Sequence, residues 1–184
     1  MLTRRPLTHE EAELLQLEVQ TTPNILGYTV GELLRLRDVL IADRDGGLAG
    51  ACVSKDLPLG WTDIAMLYVL PAHRGRGIGG ALYREAWRQA WERGRHVFTM
   101  SRSPEVIGMM ERLDMQPRGS LWRMPIAAHL HMMRHMLSSW RLREAARKGA
   151  TMQTQARLVF GARRNPGPRG PAGRALGSPD GGRK

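Results

Sequence analysis

A turn rich in glycine and arginine, within residues 66–80, constrains this chain more than any other segment. It follows an apolar run that resembles a strand, passes through Pro71 and an Arg-Gly-Arg-Gly sequence, and leads into a segment with helical periodicity. Glycine lets the backbone approach a ligand closely, and a helix start presents unpaired N–H groups and the positive end of its dipole. The segment therefore predicts a loop that binds a phosphate or another anion.

Two well-known phosphate loops do not fit the residues around these glycines. A P-loop needs Lys-Ser or Lys-Thr after its last glycine, whereas this chain has Ala81 after Gly80. The glycines at 75, 77 and 80 have dinucleotide-fold spacing, but that fold also needs an acidic residue about 20 positions later. Residues 98–102 read Phe-Thr-Met-Ser-Arg and contain no acid. Both the P-loop and the dinucleotide fold are therefore excluded.

The pattern that remains resembles the coenzyme A signature of the GNAT acyltransferase superfamily, R/Q-x-x-G-x-G/A after a strand that ends in Val-x-Pro. The matching residues are Val69-Leu70-Pro71 and Arg74-Gly75-Arg76-Gly77-Ile78-Gly79. The resemblance implies that acetyl-CoA is the cosubstrate, with its pyrophosphate on the backbone of residues 75–80 and its pantetheine arm along residues 67–69. The residues implied to bind it are Leu67, Tyr68, Val69, Arg74, Gly75, Arg76, Gly77, Ile78, Gly79 and Gly80. The alternative is an ordinary strand-to-helix turn with surface arginines.

The remaining pattern of the chain predicts alternating helices and strands. Thr8 and Thr29 are each followed three residues later by glutamate, which predicts two capping boxes. Asp45-Gly46 between two apolar runs predicts a hairpin, with residues 55–60 as the next loop. Residues 61–100 read as strand, helix and strand, which implies parallel pairing.

This order resembles the GNAT fold over residues 1–127. It predicts an α/β (α+β) domain with a mixed central sheet of about six to seven strands, flanked by helices. Strands are expected at 115–116 and 121–126, and residues 128–160 are expected to be a C-terminal helical extension. Residues 161–184 hold seven glycines and four prolines, and are expected to be a disordered basic tail.

The resemblance also implies catalytic residues. Asp63 lies at the strand position where many family members carry a glutamate, and is the candidate general base. Many members place a tyrosine, which protonates the leaving thiolate, where this chain has Met110, and a thioether cannot donate a proton. Tyr68, or Tyr83, could replace that acid. A backbone N–H of residues 67–69 is the expected oxyanion donor.

The expected function is N-acetylation of a primary amine on an unidentified small molecule or peptide. In the family the early region helps to form the acceptor pocket, so Asn24, Leu26 and Tyr28 are candidate substrate contacts, with ordinary loop packing as the alternative. A second hypothesis is a non-catalytic module of this fold that binds coenzyme A, or binds a partner through the basic C-terminal arm.

Composition limits the other classes of function. The net charge is +11, but residues 141–184 contain 11 Lys or Arg and two acids, which leaves only +2 for residues 1–140. Nucleic acid is therefore not expected as the substrate of the domain. No apolar run long enough for a membrane span or a signal peptide is present, so a cytoplasmic protein is expected. A homodimer through the C-terminal helix is one option.

Two residue types could have indicated a metal or redox site. His131 and His135 are four residues apart, but no third ligand lies near them, so no metal is expected. The single cysteine, Cys52, lies in an apolar run and is expected to be a core residue.

Overall fold

The computed structural model describes residues 1–22, 25, 27–118, 125–136 and 158–167. The described strands are β1 Leu2–Arg5, β2 Val39–Arg44, β3 Gly47–Leu57, β4 Trp61–Val69, β5 His96–Ser101, β6 Gln116–Arg118 and β7 Val159–Arg163. The described helices are α1 His9–Thr21, α2 Val30–Leu34, α3 Ile78–Glu92, α4 Pro104–Arg112 and α5 Ile126–Met136, with a 3-10 turn at Pro71–His73. This alternation confirms the predicted α/β class.

The described strands form one mixed sheet of seven strands in the order β1-β2-β3-β4-β5-β7-β6. Only β4 and β5 pair in parallel, because α3 connects them as a crossover. The two predicted capping boxes are present at Thr8 and Thr29, and the predicted hairpin at Asp45-Gly46 joins β2 to β3. The predicted loop over 55–60 is too long, because β3 continues to Leu57 and pairs with β4 up to Trp61.

Helices cover both faces of the sheet. Helices α1 and α2 pack on one face, where Leu15 and Leu33 meet Val53 of β3. Since side chains alternate along a strand, Leu57 of β3 points to the same face as Val53, and it packs against Ala128 of α5. Helices α3 and α4 cover the opposite face, and their buried side chains include Leu82, Tyr83, Ala86 and Met110. We call these two sides of the sheet the α1/α2/α5 face and the α3/α4 face.

Strand β7 corrects the predicted boundaries at the C-terminal end. Residues 159–160 were expected in a helical extension and residues 161–163 in a disordered tail, yet β7 lies between β5 and β6 and pairs antiparallel with both. Phe160 is buried, and Gly161 is placed so that an added Cβ would lie only 2.8 Å from the Met110 sulfur. A glycine that resembles tail composition is thus required by close packing. The boundary predicted at residue 127 stays a prediction.

Other predictions for this end fall mostly outside the described residues. The predicted strand over 121–126 is described only at its end, where Ile126 already begins α5. The described start of the predicted helical extension is α5, which begins at Ile126, before the predicted start at residue 128. Residues 137–157 and 168–184 lie outside the described part. Among the described helices, none has the length and apolar character needed to cross a membrane.

Candidate functional site

The site begins where β4 and β5 stop pairing. Their parallel register runs from Trp61 opposite His96 to Ile64 opposite Thr99, although β4 itself continues to Val69. The Thr99 hydroxyl donates to the Ile64 carbonyl at 2.8 Å, which closes the last rung of the pair. Beyond Ile64, no described strand pairs with the edge of β4 that faces β5. That edge is available to an extended ligand, which would bond to it as an added strand does.

A bulge in β4 accounts for this separation. The register with β3 changes from Ile64 opposite Ser54 to Met66 opposite Val53, so Ala65 is an extra residue without a direct partner. A bulge bends the strand that contains it and increases its twist. The bend therefore occurs at the residue after Ile64, where the parallel pairing of β4 with β5 ends.

The glycine-rich loop lies at the end of the freed part of β4. Gly75 and Gly77 have φ angles of +73° and +76°, which residues with a side chain rarely adopt. A Cβ built at either position would meet no atom within 4 Å. Gly79 is close to β4, because its Cβ would lie 3.4 Å from a Val69 methyl carbon. The glycine-rich loop and the freed part of β4 are therefore neighbours.

Helix α3 starts without a side-chain cap. The hydroxyls of Thr8, Thr29 and Ser103 cap α1, α2 and α4, whereas Gly77 precedes α3 and has no side chain to do so. The first bond back to Gly77 comes from the Ala81 N–H at 3.0 Å, so the N–H groups of residues 78–80 precede any intrahelical partner. This arrangement suits an anionic group such as a pyrophosphate. Residues 75–80 are called the cradle below.

A chain of hydrogen bonds holds the start of the cradle to α1. The Tyr68 hydroxyl donates to Glu18 of α1 at 2.7 Å and accepts a bond from Arg74 at 3.0 Å. Arg74 also donates through Nε to the Val69 carbonyl at 3.0 Å, and its guanidinium lies 5.4 Å from the centre of the Tyr68 ring. The Arg74 side chain therefore fixes the turn that leads into the cradle. Neither its bond to Tyr68 nor its bond to Val69 is visible from sequence spacing alone.

The predicted β4 residues point to different faces. Leu67 and Val69 belong to the core on the α3/α4 face, while Tyr68 is buried on the α1/α2/α5 face. Burial and the bond to Glu18 raise the pKa of the Tyr68 hydroxyl. Its proton is directed at Glu18, which favours a positioning role. The catalytic role of Tyr68 stays a prediction.

Asp63 lies half-buried on β4, one residue before the pairing with β5 ends. Its partner across the antiparallel pair is Lys55, and its partner on β5 is Phe98. Desolvation raises the pKa of the Asp63 carboxyl to about 7, and the positive charge of Lys55 opposes part of this effect. A carboxyl that titrates near neutral pH can accept a proton and release it again, as a general base must.

The residues predicted to contact the acceptor are described only in part. Tyr28 is buried on the α1/α2/α5 face, and the Lys55 ammonium lies 5.1 Å from the centre of its ring. Asn24 and Leu26 lie outside the described residues. Lys55 was not identified from the sequence, although the turn over residues 58–60 places it opposite Asp63 in a hairpin register.

Met110, at the position of the family's tyrosine acid, and Tyr83, a candidate to replace that acid, both lie in the core. Met110 is fully buried against β7. Tyr83 is also buried, its hydroxyl donates to the Met115 sulfur at 3.3 Å, and burial raises its pKa. Cys52 is buried as predicted, which raises the pKa of its thiol to about 12. The described residues contain no group of three or more His, Cys, Asp or Glu that could hold a metal ion, and the side chains of His131 and His135 are not among those described.

Comparison with known proteins gives consistent results for the fold. Residues 35–113 match the family model for the acetyltransferase (GNAT) domain. No curated protein is similar enough in sequence to match the chain. The structure resembles N-acetylglutamate synthase from Neisseria gonorrhoeae, complexed with coenzyme A and N-acetyl-glutamate, with a TM-score of 0.60 and 15% identity. That match covers 88% of this chain but only 35% of the synthase.

Two further structures match over nearly their whole length. Rv2747 from Mycobacterium tuberculosis, in complex with CoA, gives a TM-score of 0.60 at 15% identity and covers 86% of this chain and 97% of its own. The ribosomal-protein-S18-alanine N-acetyltransferase from Escherichia coli gives 0.56 at 13% identity, with 97% and 100% covered. At these identities the likeness shows the fold alone.

Proposed function

We propose that this chain, whose residues 35–113 match the family model for the acetyltransferase (GNAT) domain, transfers an acetyl group from acetyl-CoA to a primary amine. The observation that carries the proposal is the junction of two backbone surfaces. The uncapped start of α3 offers N–H groups to an anion, and the adjacent edge of β4 after Ile64 has no described strand partner. A ligand with a pyrophosphate at one end and an extended amide-containing arm at the other matches both surfaces.

The proposed binding mode uses the predicted residues as follows. The backbone of the cradle holds the pyrophosphate, and the freed edge of β4, including residues 67–69, bonds to the pantetheine arm. This places the thioester near the bulge at Ala65, where β4 and β5 separate. Holding both reactants there removes much of the entropic barrier, on the order of 7 kcal/mol or more in favourable cases.

The proposed chemistry requires one proton acceptor. Asp63 takes a proton from the acceptor ammonium, directly or through water, and the neutral nitrogen attacks the thioester carbonyl. The carbon–nitrogen bond forms, and a backbone N–H of β4 stabilises the oxyanion. The carbon–sulfur bond then breaks to release the thiolate of coenzyme A, and the second proton of the attacking nitrogen passes to that thiolate, directly or through water. A pKa of about 7 lets Asp63 perform this step at neutral pH.

Binding of the donor is the first test. Isothermal titration of the full chain with acetyl-CoA and with coenzyme A should give saturable binding for both. Adenosine, which carries no phosphate, is the matched ligand control, because it lacks the anion that the cradle would hold. A folded protein that binds neither thioester nor coenzyme A would refute the proposal.

A second candidate is a module of the same fold that binds coenzyme A without catalysis. Met110 favours it, because this buried thioether stands where many family members have a tyrosine acid. Thiol release followed with a broad panel of primary amines separates the two candidates. Turnover with any amine supports the enzyme, whereas donor binding without turnover across the panel supports the module. The basic C-terminal arm lies mainly outside the described residues.

The known structures do not identify the acceptor. One neighbour is complexed with N-acetyl-glutamate, and another is named for the alanine of a ribosomal protein. Free amino acids and peptide N-termini are thus both within the range of amines to be tested.

A further inference from the structure

Coenzyme A carries a 3′-phosphate on its ribose in addition to the pyrophosphate. The proposed binding mode places the pyrophosphate on the N–H groups at the start of α3 and assigns no partner to the 3′-phosphate. This group is a phosphate monoester, with a charge of about −1.5 to −2 at neutral pH, and it lies only a few bonds from the pyrophosphate. An arginine beside the cradle that has no carboxylate partner would be a suitable ligand for it.

Arg84, an exposed residue in the second turn of α3, meets this description. Its Nη1 atom lies 3.3 Å from the position that a Cβ on Gly80 would occupy. The guanidinium thus folds back over the last residue of the cradle, where the glycine leaves space for it. Within the residues that the structure describes, Arg84 forms no ion pair with a carboxylate. By contrast Arg88, one turn later, pairs with both Glu85 and Glu92 at 2.6 Å.

The start of α3 also lacks the acidic residues that other helix starts have. The first turns of α1, α2 and α4 each contain at least one glutamate, whereas the first turn of α3 contains no acid. An acid at that position offsets the positive end of the helix dipole, and the guanidinium of Arg84 instead adds to it. An anionic ligand would therefore supply a counter-charge to the N–H groups of the cradle and to Arg84 together.

The side of α3 that carries Arg84 is the side from which the ligand would approach. Trp87 follows Arg84 by three residues and shares its side of the helix, and the guanidinium of Arg163 on β7 lies 5.6 Å from the Trp87 ring. On the opposite side of α3, Gln89 accepts a hydrogen bond from Arg4 of β1. Because β7 lies next to β5 and β1 lies at the far edge of the sheet, Arg84 is on the β5 side of α3. The freed edge of β4, which would hold the pantetheine arm, also faces β5.

We propose that Arg84 binds the 3′-phosphate of coenzyme A and makes the donor site prefer coenzyme A to dephospho-coenzyme A. This inference rests on the proposed function and adds a residue that determines donor specificity. The other anion within reach of Arg84 is the pyrophosphate, which both ligands carry. A comparison of the two ligands therefore separates a contact to the 3′-phosphate from a contact to the pyrophosphate.

The test is isothermal titration of the full chain with coenzyme A and with dephospho-coenzyme A, which lacks only the 3′-phosphate. Wild-type protein should bind coenzyme A about fivefold more tightly, the upper end of the range for an exposed ion pair. Arg84→Gln should bring the ratio of the two affinities close to one, and Arg84→Lys should keep most of the preference because it keeps the charge. Arg88→Gln is the matched control, since it removes the same charge from the same helix at a residue that already has carboxylate partners. It should leave the ratio unchanged.

The outcomes separate this inference from the proposed function. Equal affinities of the wild type for the two ligands would overturn the inference while leaving acetyl transfer intact. A preference that survives in Arg84→Gln would overturn it as well, and a parallel loss of affinity for both ligands in that variant would assign Arg84 to the pyrophosphate. Binding of neither ligand to the folded wild type would instead refute the proposed function, and this inference with it.

Discussion

The donor half and the acceptor half of the proposed site are built from different kinds of atoms. The donor half uses the backbone of one continuous segment, from the bulge at Ala65 to the start of α3. The acceptor half uses a side chain, that of the candidate base Asp63, which comes to lie opposite Lys55 only when β3 pairs with β4. Backbone binding requires glycines at fixed positions, so it leaves a local pattern in the sequence. Side-chain binding leaves no such pattern.

The largest expected effect is on the acceptor half. Asp63→Asn should lower kcat by about a hundredfold to ten-thousandfold, the range that general acid–base groups contribute. Its affinity for coenzyme A should not change, because the donor half contains no atom of that side chain. Turnover by thiol release and affinity by titration measure the two quantities separately.

Asp45→Asn is the control for this substitution, since Asp45 is an exposed residue in the β2–β3 turn. It should leave both turnover and affinity unchanged. The wild-type rate should also rise with pH through about 7, because only the deprotonated carboxyl of Asp63 accepts a proton. A rate that is flat from pH 6 to 8 and unaffected by Asp63→Asn would assign the proton transfer to another group.

The second prediction concerns stability and uses the same carboxyl. The pKa of Asp63 rises from 3.8 to about 7 on folding, so between these values the folded state binds more protons than the unfolded state. The contribution of Asp63 to the free energy of unfolding should therefore be largest below about pH 4 and should decrease as the pH rises through 7. Asp63→Asn should remove this decrease and raise the melting temperature at pH 8. Thermal unfolding of both proteins at pH 5 and pH 8 measures it, and an asparagine variant that is less stable at pH 8 would contradict it.

The third prediction concerns the backbone of the donor half. Gly77→Ala should weaken coenzyme A binding by about tenfold, or about 1.4 kcal/mol, because a Cβ enters the open space of the cradle at a φ of +76°. Gly46→Ala is the matched control, since Gly46 has a φ of +80° and equally open surroundings in the β2–β3 turn. Both should lose about 1–2 kcal/mol of stability through backbone strain. Only Gly77→Ala should change the affinity, and equal affinities of the two variants would place the pyrophosphate elsewhere.

This contrast also explains how much of the molecule was predictable. The cradle was found because its glycines, its proline and the following helix are adjacent in the sequence. The position of Lys55 opposite Asp63 was missed because it depends on the register of a hairpin. Strand β7 was missed because it follows β6 only after some 40 residues, and because Gly161 resembles tail composition. That glycine is needed for contact with Met110, which no local pattern shows.

The fourth prediction tests the hydrogen bonds of Tyr68 that join α1 to the start of the cradle. Tyr68→Phe removes the hydroxyl that joins Glu18 of α1 to Arg74, and should raise the KM for acetyl-CoA about fivefold, the loss of about one hydrogen bond. With saturating acetyl-CoA, kcat should stay near the wild-type value if Tyr68 positions the cradle. A fall in kcat at saturation would instead support Tyr68 as the acid for the thiolate. Tyr83→Phe is the control, because the Tyr83 hydroxyl contacts Met115 in the core.

The smallest expected effect is that of a charge beside the cradle. Arg76 is exposed, and an exposed ion pair contributes about 0–1 kcal/mol, so Arg76→Gln should weaken coenzyme A binding by no more than about fivefold. Because exposed charges are screened by salt, this difference should shrink when titrations are repeated at high ionic strength. Arg37→Gln, at another exposed arginine just before β2, should have no effect. If Arg76→Gln weakens binding more than Gly77→Ala does, side chains and not the backbone would dominate the donor half. The claim that the donor half binds its ligand mainly through backbone atoms would then be wrong.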